Sequence, residues 1–280
     1  MEVFGKKTNT ILKWSLIDLI VYCYKSIGAQ MFKNIDTERI TTGIALIAVI
    51  MIVAWVDSFL LTWLFLGVAF LFAFYEAMKL FGVDDNSLYF YALALWLLAA
   101  IYPNPDDLVF VVLIIYISLI IYKGNPDFKK IQPFAYPAAP FLFLLSLYTG
   151  FGMETLIWLV LIVALTDTAA YFVGKAIGKT QFCEVSPKKT WEGVAGGVIV
   201  ATIAGTFYGM GFVAAPLALV ISLVVAFTSI FGDLFESYLK RNAGVKDSGN
   251  VLPGHGGVLD RVDGYMFAGI MMVILLRGLA

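Results

Sequence analysis

Between Phe231 and Gly264 the chain reads FGDLFESYLKRNAGVKDSGNVLPGHGGVLDRVDG, and its side chains are of the kind that handle phosphate. Asp233, Ser237 and Lys240 stand at i, i+4 and i+7, on one face of a helix. Asp260 and Asp263 are three apart, so a helix beginning there projects both carboxylates to one side. Between these groups come Lys246, Asp247 and the turn LPGHGG, whose glycines let backbone N–H groups approach an anion closely. Carboxylates alone would repel one another. Joined by a hard divalent cation they make sense, because Mg²⁺ takes one or two carboxylates together with water and phosphate oxygens. Asp233, Asp260 and Asp263 are therefore the candidate metal ligands. Lys240, Arg241, Lys246 and Arg261 would neutralise phosphates that the metal does not reach. Asp247 and His255 would orient the loop.

A second constellation is SPKKTWEGV at 186–194. Ser186, Lys188, Lys189 and Thr190 put two cations and two hydroxyls in five residues, just ahead of a helix whose N-terminal end carries a positive dipole. A triphosphate suits such a site, although the spacing is not that of a Walker A loop. A third feature is Asp167, inside the apolar run ALTDTAAYFVGK, with Tyr171 and Lys175 following on the same stripe. A carboxylate in mid-span costs about 2.5–3.5 kcal/mol on insertion scales, so it should face protein or water. Plainer readings stand beside these. The lysines could be membrane anchors, Asp260-Arg261-x-Asp263 a capping and salt-bridge motif, Asp233 a partner of Lys240, Asp167 a packing contact and His255 a turn residue. Glu236 reads as facing water or lipid headgroups.

The elements that must position these residues are membrane spans. Of 280 residues, 61% are hydrophobic and 14% charged, and the mean hydropathy is +0.89. Counting Gly and leaving out Tyr, about 65% are apolar, against 45–50% in soluble domains. A soluble globule, a disordered chain, a coiled coil and a porin-type barrel are excluded. Two cysteines make no disulfide framework, and one His makes no zinc cluster. The fold expected is all-α and polytopic, with about nine transmembrane helices near 40–56, 59–78, 88–102, 108–122, 133–150, 155–174, 194–212, 217–239 and 264–279. Nine spans put eighteen of the nineteen basic residues on one side, leaving Arg277 opposite, so the N-terminus is expected in the cytoplasm. Outward loops are tiny, so function should lie on the cytoplasmic face, in the second half. Three segments follow: an interfacial N-terminal segment at 1–39, first and middle helices at 40–151, and a catalytic membrane region at 152–280. The stretch 11–23 reads as an amphipathic interfacial helix, and a fusion segment ahead of Met31 is an alternative.

The run SYLKRNAGVKDSGNVLPGHGGVLDRVD, 237–263, resembles the signature of the phosphatidate cytidylyltransferases, also called CDP-diacylglycerol synthases, without departure. SPKKTWEG is similar to their upstream motif, and the many-helix layout extends the similarity over about 40–280. The resemblance implies that CTP and phosphatidic acid give CDP-diacylglycerol and pyrophosphate. It further implies Mg²⁺, with a second cation left open, a bacterial inner-membrane location, membrane lipid as surroundings, a homodimer and no nucleic-acid partner. Two rivals remain. A CTP-dependent dolichol-type lipid kinase would transfer the γ-phosphate. An ion-coupled transporter would use Asp167, Asp233 and Lys240 as relay groups.

Overall fold

In a bilayer, only a helix satisfies every backbone N–H and C=O within one apolar segment. The computed structural model describes residues 37–124 and 127–279, and among them it holds nine α-helices and no strand. In chain order they are α1 (Thr37–Val56), α2 (Phe59–Leu80), α3 (Ser87–Ala99), α4 (Leu108–Tyr122), α5 (Ala139–Phe151), α6 (Met153–Ile177), α7 (Trp191–Gly209), α8 (Ala215–Asn242) and α9 (Leu259–Leu279). Each falls where an apolar run predicts a span. Seven segments are long and apolar enough to cross a membrane, two of them by including the short turns before α4 and α5. The apolar stretches Thr41–Val56 and Ser87–Ala99 are shorter. The 13 residues of α3 rise only about 20 Å. The expectation concerning 1–36, including the amphipathic stretch 11–23, lies outside the described residues.

The outer surface suits lipid. Trp55, Phe90, Ile101, Ile114 and Phe207 all point outward and are exposed. Such contiguous apolar surface is foreign to soluble monomers. Inside, α2 and α3 exchange indole hydrogen bonds: Trp63 Nε1 donates to the Trp96 carbonyl at 3.1 Å and Trp96 Nε1 to that of Trp63 at 3.3 Å. Each indole N–H thus finds an acceptor where water is absent.

The last four helices form the functional half. The most extensive packing is α6 on α7, followed by α8 on α9 and α7 on α8. The reason lies in α7, where Gly193, Gly197, Ala201, Gly205 and Gly209 recur every fourth residue and are all buried. A Cβ at Gly197 would fall 2.5 Å from the Thr166 carbonyl oxygen, and one at Gly193 2.7 Å from that of Ala170. Small residues at this spacing let helix backbones approach where lipid offers no hydrophobic drive.

Polar ties close both ends of the molecule. At one end Lys130 Nζ meets Asp85 Oδ2 at 2.5 Å, and the hydrogen bonds from Lys130 and Ser87 hold the Asp85 carboxyl down at about 2. At the other, Arg277 of α9 grips buried Asp106 with two hydrogen bonds of 2.5 and 2.9 Å and reaches Ser146 Oγ of α5 at 2.8 Å. The one basic residue placed opposite the rest is therefore engaged by a carboxylate on that side.

Candidate active site

α8 and α9 cross where Gly232 lies directly on the backbone of Asp263 and Gly264, and a Cβ at Gly232 would collide with the Asp263 carbonyl. This close crossing sets Asp233 beside Asp263, near enough for their charges to interact. One turn along α8, Ser237 Oγ donates to Asp233 Oδ1 at 3.3 Å. Lys240 Nζ reaches across to Asp260 Oδ1 at 2.7 Å and lies 3.4 Å from Glu236 Oε2. Glu236 corrects an expectation. It is fully buried, neither of its oxygens receives a hydrogen bond, and its carboxyl meets that of Asp263. Positions 233, 236, 237 and 240 form one i, i+3, i+4, i+7 stripe. That stripe turns toward α9 instead of toward water or headgroups.

Asp260 organises the loop between α8 and α9. Its Oδ2 accepts hydrogen bonds from Ser248 N and Ser248 Oγ at 2.9 Å and from Gly257 N at 2.8 Å. The capping and salt-bridge reading of Asp260 thus describes real contacts, and they leave Oδ1 shared only with Lys240. Arg261 is exposed and turned back on the loop, with Nε and Nη2 donating to the His255 carbonyl at 3.0 and 2.6 Å. His255 Nδ1 is buried without a hydrogen-bond partner. Arg241 Nη1 donates to the Val245 carbonyl at 3.2 Å, so both arginines brace the loop. Lys246 and Asp247 are exposed on it.

The second constellation meets the first at Asp233. A cavity of about 380 Å³ opens between α6, α7 and α8, and its wall carries Asp167, Tyr171, Lys175, Lys188, Lys189 and Asp233. Lys189 Nζ lies 2.5 Å from Asp233 Oδ2, so Asp233 pairs with Lys189 and not with Lys240. Thr190 also lines the cavity and caps α7, its Oγ accepting from Gly193 N at 3.2 Å. Ser186 sits in the preceding turn, where its carbonyl accepts from Lys189 N at 3.0 Å. The stripe of Asp167, Tyr171 and Lys175 faces the cavity as a unit, with Lys175 Nζ 5.7 Å from the Tyr171 ring centre.

Sequence reasoning missed four residues that shape the site. Glu192 ties down the turn before α7, accepting from Lys179 N, Thr180 N and Thr180 Oγ. Ser248 bridges to Asp260, as described. Tyr136 carries a buried hydroxyl without a partner, within electrostatic reach of Asp233, Glu236, Asp260 and Asp263. Glu76 on α2 accepts hydrogen bonds from the backbone that opens α9. The signal for Glu76 was available, because a carboxylate in an apolar helix is costly wherever it occurs.

Among the described residues, no group of three or more His, Cys, Asp or Glu side chains stands where it could hold a metal ion. The donors nonetheless fit a hard cation that keeps water and substrate oxygens in its shell. All are carboxylates, and the buried Glu236 oxygens, which accept no hydrogen bond among the described residues, lie beside Asp263 with Lys240 Nζ 3.4 Å from Oε2. Carboxyls in contact repel unless a proton or a cation lies between them.

Comparison with known proteins shows the family to which the chain belongs. The model of the cytidylyltransferase family matches residues 37–279. A phosphatidate cytidylyltransferase of Helicobacter pylori (strain J99) is 40% identical over 250 residues, covering 88% of this chain and 93% of that protein. That of Bacillus subtilis is 42% identical over 130 residues, 45% of this chain and 48% of its own length. Phosphatidate cytidylyltransferase 4, chloroplastic, of Arabidopsis thaliana is 49% identical over 110 residues, 38% and 28% of the two chains. With a signature, a helix layout and a family match that span nearly every described residue, this chain belongs to the cytidylyltransferase family.

Proposed function

We propose that this membrane enzyme transfers the cytidylyl group of CTP to phosphatidic acid, giving CDP-diacylglycerol and pyrophosphate. The observation that carries the reading is the junction at Asp233, where a cavity holding Lys175, Lys188 and Lys189 meets the carboxylates of the α8–α9 crossing. A phosphatidate oxygen attacks the α-phosphorus, a new O–P bond forms, and the bond from that phosphorus to the bridging oxygen of pyrophosphate breaks. The attacking group is already an anion, so no dedicated general base is needed. The barrier is electrostatic, an anion approaching a polyanion, and screening with in-line placement lowers it.

Lys175, Lys188 and Lys189 hold phosphate oxygens of CTP, and Thr190 and Ser186 border that site. Asp233 and Asp263 would hold Mg²⁺, with Asp260 beside them and Glu236 available to a second cation. Bound there, a divalent cation supplies charge screening to the triphosphate. Lys240 keeps Asp260 in place, while Arg241 and Arg261 fix the loop that carries Lys246 toward phosphate. The bias of basic residues supports a cytoplasmic site in a bacterial inner membrane, where a lipid that stays in the bilayer meets a nucleotide that stays in water. A homodimer belongs to the same proposal, to be read as two copies per particle by light scattering after subtraction of detergent mass.

The test is position-specific label. Purified protein receives phosphatidic acid, Mg²⁺ and CTP labelled at the α- or the γ-phosphate. α-Label in the lipid is expected. γ-Label in the lipid would instead make the chain a kinase, and no label in lipid would refute transfer altogether.

A further inference from the structure

Glu76 lies on α2, in the half of the chain to which no step of the reaction has been assigned, and it is 1% exposed. Its Oε1 accepts from Val258 N at 3.0 Å, and its Oε2 from Leu259 N at 2.7 Å and Ser248 Oγ at 3.2 Å. The first N–H groups of a helix have no carbonyl one turn back to bond. Glu76 supplies acceptors to the start of α9 from a position 183 residues away in sequence. The loop is shaped around it: a Cβ at Gly249 or at Gly257 would collide with the Glu76 carboxyl. Glu76 thus leaves no room for a side chain at Gly249, and together with Ser248 Oγ none at Gly257.

The same contacts lead to the reacting end. Ser248 Oγ is shared between Glu76 and Asp260, and Gly257 N beside Val258 also bonds Asp260 Oδ2. Glu76 and Asp260 thus grip the same two pieces of loop from opposite helices. Asp263 follows Asp260 by three residues, about one turn further along α9. The lysines that line the cavity sit on α6 and on the segment before α7, whereas the hydrogen bonds of Glu76 go to Ser248, Val258 and Leu259.

We infer that Glu76 is a positioning residue for cytidylyl transfer: it fixes the start of α9 so that Asp260 and Asp263 stand opposite Asp233. The inference rests on the function proposed above. It separates two kinetic constants. CTP binding, governed by the cavity lysines, is left alone, while turnover, which depends on where the α9 carboxylates stand, is impaired.

The test uses the full chain in detergent or nanodiscs. Glu76→Gln replaces one acceptor oxygen with an NH₂ group that faces a backbone N–H. Expected is a kcat lower by about 100-fold, the loss typical of a 1 Å misplacement, with KM for CTP within about threefold. Amide exchange at Val258 and Leu259 should quicken while that of α6–α8 stays as in the wild type. A folded variant with kcat within about threefold of wild type overturns the inference. So does a purely structural outcome, in which less protein folds but each folded molecule turns over normally, and so does unchanged exchange at 258–259. If the variant does not accumulate, the wild-type protein decides: its Val258 and Leu259 amides must be as protected as the middle of α9, and rapid exchange there refutes the contact. Should the wild type itself form no CDP-lipid, the functional reading fails, while the exchange measurement still reports whether Glu76 holds α9.

Discussion

Replacing Lys189 by Met tests the junction on which the functional reading depends. Lys189 Nζ lies 2.5 Å from Asp233 Oδ2, with side chains 22% and 26% exposed. At an effective dielectric constant of about 20 the gross attraction at this distance is about 6–7 kcal/mol. Desolvation of both ions offsets most of it. Exposed pairs are worth about 0.2–1 kcal/mol, and breaking buried ones costs about 3–5. A pair three-quarters buried falls between, so Lys189→Met should lower stability by about 1–2 kcal/mol, which leaves a domain folded. The catalytic loss should be of another size. Under the proposed function, Asp233 would hold the cation and Lys189 would contact a phosphate. Losing one charge-assisted hydrogen bond of about 1.5–3 kcal/mol lowers kcat/KM for CTP by about 10- to 150-fold. The assay is CDP-lipid formation over a CTP titration, normalised to folded protein by size-exclusion chromatography. A value of kcat/KM within about threefold of wild type, with Asp233→Asn inactive, would mean that Lys189 serves Asp233 alone and never touches substrate.

Three other outcomes follow from the same geometry. Asp263→Asn should abolish turnover in protein that still folds, and chelating divalent cations should do the same to the wild type until Mg²⁺ is restored; substantial activity in either case removes the metal assignment. Arg277→Met leaves the Asp106 carboxylate buried without its bidentate partner. Arg277 is itself 41% exposed, so the loss of stability should be about 2 kcal/mol, below the full value for a buried pair; it should appear as a lower Tm in detergent with turnover per folded molecule unchanged. The Asp85–Lys130 bridge holds the Asp85 carboxyl at about 2, below its ordinary 3.8. A depressed carboxyl stabilises above its unfolded pKa, and that contribution vanishes as pH falls through the folded value. Asp85→Asn should therefore lower stability at pH 7 by no more than about 1 kcal/mol for so accessible a pair, seen as a slightly lower Tm, and not at all below about pH 2.

Helix positions were legible because apolar runs of about twenty residues, broken by Pro and Gly, leave few alternatives in a bilayer. α3 was less so, since its 13 residues carry the composition of a span without the length. At the site, residue types and spacing placed Asp233, Ser237 and Lys240 on one face and Asp167, Tyr171 and Lys175 on one stripe; Ser237 meets Asp233 and the stripe lines the cavity, while Lys240 turns to Asp260. What spacing could not supply was pairing between helices. Lys240 joins Asp260 where Gly232 lets α8 cross α9 at backbone contact, and Asp233 joins Lys189 across the cavity to the segment before α7, neither of which periodicity encodes. The orientation of Glu236 was in principle readable from its stripe. A charged residue near a helix end, however, resembles a headgroup contact until the packing partner is known.

Glu76 carries the same point further. Read along the chain it is one acid in YEAMK, a carboxylate inside an apolar helix that marks a cost without naming a partner. Read in space it lies against Gly249 and Gly257 and accepts from the first N–H groups of α9. A local signature can specify which atoms react, but a loop of glycines has little rigidity of its own. Its geometry has to be imposed from outside, and here the imposing group comes from a helix that the signature does not include. The first half of the chain is therefore part of the catalytic apparatus in a physical sense: remove the acceptor at position 76, and the residues of the signature remain present but lose the positions that make them useful.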